Sequence, residues 1–383
     1  MKIVYCLPQL YRPGGIERIV SIKANYLADV MGYDIILVLA DQRNKKPFYH
    51  LSDRIKTIDL GLDYDSTLTL PIWKRLIKRR ALHKRHFQRL KSLLYSERPD
   101  ITISTFTHEA DFLPSIKDGS KKVLEFHFCR GYKLKMAKAF HFGFITKLGY
   151  CYRTWQEENF IIPKYDQFVV LTEEDRKSWI SKIPSVIYIS NILPFENEGQ
   201  STLDNKHVIA VGRLDAQKGF DRLISIWNNL ASDYLGWRLD VYGDGQDRIT
   251  LQKLIDSKGL HNSITLHHPD QCIKKHYLES SIFVMTSNYE GLPMTLLEAT
   301  GFGLPSVSYD FTCGPKDVII DGVNGYIIKE GDEQDFANKL QILMSDKEKR
   351  VYMGKNAIEL SKRYSVSCIM QQWDAIFNEL IKK

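Results

Sequence analysis

The stretch SNYEGLPMTLLEATGFGLP, residues 287–305, decides how the rest of the chain is read. It sets two carboxylates, Glu290 and Glu298, around a helix start, with Gly291, Leu292 and Pro293 directly after the first. Proline suits a first helical position, because the N–H it lacks is one the helix leaves unbonded anyway. The spacing predicts a helix from Met294 to about Thr300. Its free N–H groups and positive dipole end would face whatever lies beside Glu290, a seat for phosphate. Gly291 lets the backbone come close to a ligand, and Glu298 stands about 7 Å along the axis from the helix mouth. One carboxylate at the mouth and one inside can grip two hydroxylated rings flanking an anion, the layout of a sugar nucleotide. A plain loop entering a helix would read the same way, so the neighbouring motifs carry the decision.

A chain of 383 residues is too long for one ordinary core and suits two domains. Hydrophobic content of 44% and charged content of 26% place it among soluble globular proteins. The net charge of +7 is uneven: residues 1–194 hold 32 Lys+Arg against 20 Asp+Glu (+12), and the remainder 21 against 26 (−5). A basic half of this kind faces something anionic, nucleic acid or a membrane surface. The six cysteines are scattered, with no Cys-x-x-Cys pair, which argues against zinc or a disulfide framework and fits a reducing cytoplasm. The first residues, MKIVYCLPQL, are interrupted too early to read as a signal peptide. No apolar run is long enough to span a bilayer. Cytoplasmic location follows as the expectation, with at most peripheral contact on the inner face of the cytoplasmic membrane.

Short β-branched runs alternate with helical periodicity, the pattern of parallel sheets built from βαβ units. The first half reads as strands Lys2–Cys6, Ile35–Leu39, Ile101–Ser104, Lys122–Phe126, Gln167–Leu171 and Val186–Ile189. The second half reads as Val208–Val211, Arg238–Tyr242, Ile264–His267, Ile282–Met285, Ser306–Ser308 and Gly325–Ile328. Two Rossmann-like domains are therefore expected, 1–194 and 195–365, joined by the polar linker 194–206. The closing helix, 366–383, carries an apolar stripe suited to packing back across the linker. Ligands of open α/β sheets sit beyond the carboxyl ends of the strands, which makes the cleft between two such sheets the site.

The loops after strands carry the candidate chemistry. Gly14-Gly15 stands where a helix begins, with Glu17 in its first turn; it is either a plain turn or a place where a diphosphate meets backbone. Strand Val208–Val211 runs into GRLDAQKGFDRLI, where Arg213 and Lys218, helped by Gly212, form either a pyrophosphate clamp or a solvated pair. Gly243 and Gly245 after Tyr242 permit close approach or simply turn the chain. His127, after the strand ending at Phe126, reads as structural or catalytic.

Together, PGGIER, EFH, VGRLDAQKGFDRLI, EGLPMTLLEA and CGPKDVIIDGVNGYII, in that order, resemble the glycosyltransferase family 4 group, retaining enzymes of the GT-B fold. The resemblance covers essentially the whole chain, is strongest over 208–328 and weak over about 43–120. It implies a cytoplasmic hexosyltransferase of surface-polysaccharide assembly that works without a metal or other cofactor. Arg213 and Lys218 would neutralise the donor diphosphate, and Glu298 would take the ribose hydroxyls. Glu290, with the backbone of Gly291, Leu292, Pro293 and Met294, would hold the donor hexose. Gly14, Gly15, Gly212 and Gly243 would line the donor loops, and His127 would stand near the transferred sugar. The chain departs from the pattern at HHPD (267–270), where relatives often carry glycine, and at Ser190, where proline is common. Asp63-Tyr64-Asp65 matches the Asp-x-Asp string of metal-dependent GT-A enzymes, a string any acidic loop produces by chance.

Residues 73–94 carry nine Lys/Arg, with Trp73, Leu76, Ile77, Ala81, Phe87, Leu90 and Leu94 on one face of a helical wheel. Residues 133–155 mix aromatics with cations. Both are either solvated faces over ordinary core or segments that rest on an anionic membrane beside a glycan or lipid-linked acceptor. Other readings are a GT-B epimerase or phosphorylase, a nucleic-acid binder using the basic half, and a dinucleotide oxidoreductase. The acidic second half argues against nucleic acid, and the missing Gly-x-Gly-x-x-Gly argues against the last.

Overall fold

A computed structural model describes residues 1–196 and 198–382; Asn197 of the expected linker and Lys383 of the expected closing helix lie outside the described residues. Seven strands form the first sheet: β1 Lys2–Leu7, β2 Asp34–Leu39, β3 Lys56–Asp59, β4 Ile101–Ser104, β5 Lys121–Phe126, β6 Gln167–Val170 and β7 Ile187–Tyr188. Six form the second: β8 His207–Val211, β9 Arg238–Tyr242, β10 Ile264–His267, β11 Ile282–Met285, β12 Ser306–Tyr309 and β13 Gly325–Ile328. Their orders are β3-β2-β1-β4-β5-β6-β7 and β10-β9-β8-β11-β12-β13. The pairings are parallel, with Val4 opposite Ile36 and Thr102 in one sheet and Ile282 opposite Val208 in the other.

Central strands such as IVYC and IILVL are buried on both faces, which is why they read as unbroken apolar runs. β3 reads KTID and lies exposed at the sheet edge, so it needs no such run; the sequence reading missed it for that reason. Helix α1, Gly15–Asp29, buries Ile19, Val20, Ala24 and Leu27 against β1 and β2. The closing helix Val366–Lys382 lies on the same layer and adds Ile369, Met370, Trp373 and Phe377 to that core. Trp373 is almost fully buried, and a side chain of this size contributes about 3 kcal/mol by burial. The chain thus returns to its first sheet after building its second.

The expected apolar face of the basic helix is corrected. Helix α2 spans Ile72–Glu97, and only its later part packs, through Leu82, His86, Leu90 and Leu94. Trp73, Leu76 and Ile77 stay exposed, as does Ala81. A wheel assumes one uniform environment, whereas this helix runs past the edge of its domain. Segment 133–155 forms two helices, α3 Tyr132–Ala139 and α4 Phe144–Gln156, and no residue of α4 is buried.

The halves touch along the carboxyl ends of their strands. Glu173 N donates to Asp317 Oδ1 at 2.9 Å, and Cys313 N to Glu174 Oε2 at 3.1 Å. Strand order reverses between β1 and β4 in one sheet and between β8 and β11 in the other, so the loops at those points face each other across the crevice.

Candidate functional site

The helix announced by residues 287–305 spans Met294–Gly301. Pro293 is its N-cap (φ −75°, ψ 93°) rather than its first helical residue, a correction of one position. The carbonyl of Pro293 accepts from the N–H groups of Leu296 and Leu297, and no side chain caps the helix. The donors of its first turn thus face the crevice without a side-chain acceptor.

Glu290 sits just before this turn and is buried. Lys218 Nζ donates to its Oε1 at 2.7 Å, Ser287 Oγ to the same oxygen at 2.8 Å, and Gln217 Nε2 to Oε2 at 3.2 Å. Lys218 crosses from the loop after β8, and its stem passes Gly212, where a β-carbon would lie 3.0 Å from Lys218 Cε. Arg213 stands apart from this cluster: its side chain is 70% exposed, bonded to Gln217 Oε1 at 2.8 Å and 3.4 Å from Asp215. The two cations expected as one clamp therefore have different settings. Lys218 is paired and nearly buried, whereas Arg213 is exposed and pairs with Gln217 and Asp215.

Glu298 lies one turn inside the helix. Its Oε2 accepts from Tyr277 Oη at 3.0 Å, and its Oε1 from Arg18 Nη1 at 2.9 Å, across the crevice from α1. Burial raises the carboxyl pKa, while Arg18 and Tyr277 pull it down. The Arg18 guanidinium also rests over the Phe195 ring at 4.1 Å. Neither Arg18 nor Tyr277 was legible as a site residue, because each acts through a partner far away in sequence.

On the first sheet, His127 follows β5 and is buried. Its Nε2 lies 3.2 Å from Glu125 Oε1 but off the hydrogen-bonding angle, so that buried nitrogen is unsatisfied within the protein. Glu125 is held by fully buried Lys23, whose Nζ donates to both carboxylate oxygens at 2.7 Å. Burial alone would raise the Glu125 pKa; Lys23 and His127 outweigh it and bring it down to about 2. Glu17, paired with Gln9 at 2.8 Å, folds back over the start of α1, and burial raises its pKa.

The glycines divide by role. At Gly291 a β-carbon would lie 2.2 Å from the carbonyl oxygen of His127, so this glycine is where the two halves press together. At Gly243 it would lie 1.8 Å from the Gly212 carbonyl oxygen, so a glycine here lets the two loops touch. Gly14 makes room for the Glu17 carboxylate, whereas Gly15 faces open space.

A cavity of about 860 Å³ lies beside this cluster, between α3 (Lys135, Lys138) and Asp215, Asn288, Tyr289 and Asp310 of the second half. The paired side chains Lys218–Glu290 and Arg18–Glu298 do not line it. At the end of β10, His267, the first residue of the HHPD run, stacks on Tyr242 at 4.4 Å and bonds Asp240 at 2.8 Å. Asp63 and Asp65 both pair with Arg43, at 3.3 and 3.1 Å, and Asp65 also with Arg12 at 2.6 Å.

Residues 195–360 match the family model of glycosyl transferases group 1. Over 222 residues the chain is 33% identical to the amylovoran biosynthesis glycosyltransferase AmsD of Erwinia amylovora, covering 56% of this chain and 62% of that one. Over 227 residues it is 32% identical to an exopolysaccharide phosphotransferase of Streptomyces coelicolor, covering 58% of this chain and 24% of that one. In both cases the match spans less than two thirds of the relative's length. A solved structure of an S. aureus TarM mutant, in complex with Fondaparinux, alpha-GlcNAc-glycerol and UDP, superposes with a TM-score of 0.75 at 17% identity. That superposition covers 98% of this chain and 99% of that chain. The match to that family model covers residues 195–360, less than half of the chain, and the two facing parallel sheets have the GT-B architecture.

Proposed function

We propose that the chain transfers a hexose, with retention, from a nucleotide diphosphate sugar to a hydroxyl of a glycan or lipid-linked acceptor in surface-polysaccharide assembly, with UDP as the nucleotide. The observation that carries this reading is the convergence of Lys218, Glu290, Glu298 and an uncapped helix mouth at the crevice between the sheets. Lys218 exchanges Glu290 for the donor diphosphate, and exposed Arg213 swings in beside it. Their positive charge stabilises the charge that grows on the leaving nucleotide, with the fixed N–H groups of the helix mouth. Glu290, released from Lys218, accepts hydroxyls of the hexose, and Glu298 accepts those of the ribose. The acceptor hydroxyl attacks from the leaving-group side and gives its proton to the departing phosphate, so that no side-chain base is required. The cationic side chains offset the diphosphate without a metal.

The first half supplies the acceptor side. On α4, Phe144 and Ile145 are 80% and 86% exposed, with Leu148, Tyr152 and Trp155 exposed further along it, and the start of α2, with its lysines and arginines, is exposed too. Such a surface suits an anionic membrane carrying the acceptor. No helix among the described residues is long and apolar enough to cross a membrane.

A panel of UDP-, GDP- and ADP-sugars tests the donor, with NMR of the products for anomeric outcome. Net transfer with a retained α-linkage is the expected result. Epimerised sugar nucleotide without acceptor, or sugar phosphate formed from a glycan, would assign one of the rival reactions. Vesicle sedimentation tests the surface: binding to anionic but not neutral vesicles, weakened by salt, is expected.

A further inference from the structure

We propose that Arg18 is a positioning residue for nucleotide recognition: reaching from the first half, it fixes the Glu298 carboxylate on which the ribose hydroxyls are to bind. The inference rests on the donor reading above. An ionised carboxylate offers about four acceptor positions, two on each oxygen. Arg18 takes one on Oε1 and Tyr277 one on Oε2. One position remains on each oxygen, which matches the two adjacent O–H donors of a ribose 2′,3′-diol.

The carboxylate is buried, and without a cation beside it burial would favour the protonated form, which gives up acceptor capacity. Arg18, bonded to it, is the cation that opposes this most, with Lys218 a weaker one. Arg18 is itself steadied from two directions, by its place on the rigid α1 and by the Phe195 ring below the guanidinium. Glu298 belongs to the second half and Arg18 to the first, 280 residues apart in sequence. Ribose recognition is therefore complete only when the two halves stand as they do here, and affinity for the nucleotide reports on their arrangement.

Calorimetric titration of the full chain with UDP, GDP and ADP, and then with the 2′,3′-dideoxy form of the nucleotide that binds, tests this. R18A is expected to weaken the ribonucleotide about tenfold and to leave the dideoxy form, already weak on the unaltered protein, unchanged. R18K should recover part of the loss, and KM for the sugar donor should rise more than kcat falls. R18A that melts like the unaltered protein yet binds the ribonucleotide equally well overturns the proposal. So does equal weakening of both nucleotide forms, which would make Arg18 a phosphate contact or a fold support. An unaltered protein that binds none of the three nucleotides overturns the donor reading itself, and this inference with it.

Discussion

The two halves of this molecule build their sides of the crevice differently. In the second half, the side chains that matter come from short local runs: Lys218 and its neighbours Gln217 and Gly219 from one loop, and Glu290 to Glu298 from a single loop-and-helix unit. In the first half, key side chains are held by distant ones, as Glu125 beside His127 is by Lys23 beneath the closing helix, or Arg18 by Glu298. A site made from contiguous motifs can be read from sequence, and one made by tertiary convergence cannot. The division also suits the proposed chemistry, because the anionic part of a donor asks for fixed charges while acceptors differ in shape.

The sharpest way to break this comparison is Lys218→Ala. If the second half carries the leaving-group charge, kcat should fall about a hundredfold or more with a smaller change in KM, and Glu17→Gln in the first half should cost far less. Steady-state kinetics with the preferred donor decides it; equal losses would abolish the division of labour. Next in size, Glu298→Ala should weaken nucleotide binding by one to two powers of ten, roughly the loss of charged hydrogen bonds, measured by titration calorimetry. Turnover of bound donor should suffer less.

Gly291→Ala tests whether the halves are pressed together. Its new β-carbon would fall 2.2 Å from the His127 carbonyl oxygen, so either backbone must retreat. Overpacking of this kind costs about 1–3 kcal/mol, and a lower melting temperature with reduced activity is the expected result. Unchanged melting and activity would mean that the contact is dispensable.

The smallest effect concerns acid. Burial lowers the pKa of His86 from 6.5 to about 3 and that of His108 to about 4, both beside Tyr64 in the first half. A folded-state pKa below the unfolded one means that the unfolded chain takes up the proton first. Their contribution is therefore complete above about pH 6.5 and is lost as pH falls toward 4 and then 3. Urea unfolding at pH 7 and pH 5 should show the first half weakening more, and His108→Phe should flatten that dependence. A slope unchanged in the variant would remove His108 from the account.

Much of the fold was legible because buried parallel strands announce themselves as apolar runs, and the six strands read in the second half lie where the sheet has them, to within a residue. Glu290, Glu298 and Lys218 were legible for a related reason: glycine, proline and a charge at a strand's end have few uses besides a turn or a ligand. The solvent-exposed edge strand Lys56–Asp59 and the split character of α2 were not, since both depend on what lies beside them.

The sequence by itself determined two parallel sheets, a polar join between them, and a loop-and-helix unit with paired acids, because spacing along the chain dictates local geometry and burial period. Only the tertiary structure decided that Lys218 rests on Glu290, that Arg18 crosses to Glu298, and that α4 is left bare. The reason is physical. A hydrogen bond or ion pair between residues dozens to hundreds apart leaves no periodic trace in the chain, and its partner is chosen when the two sheets come to face each other.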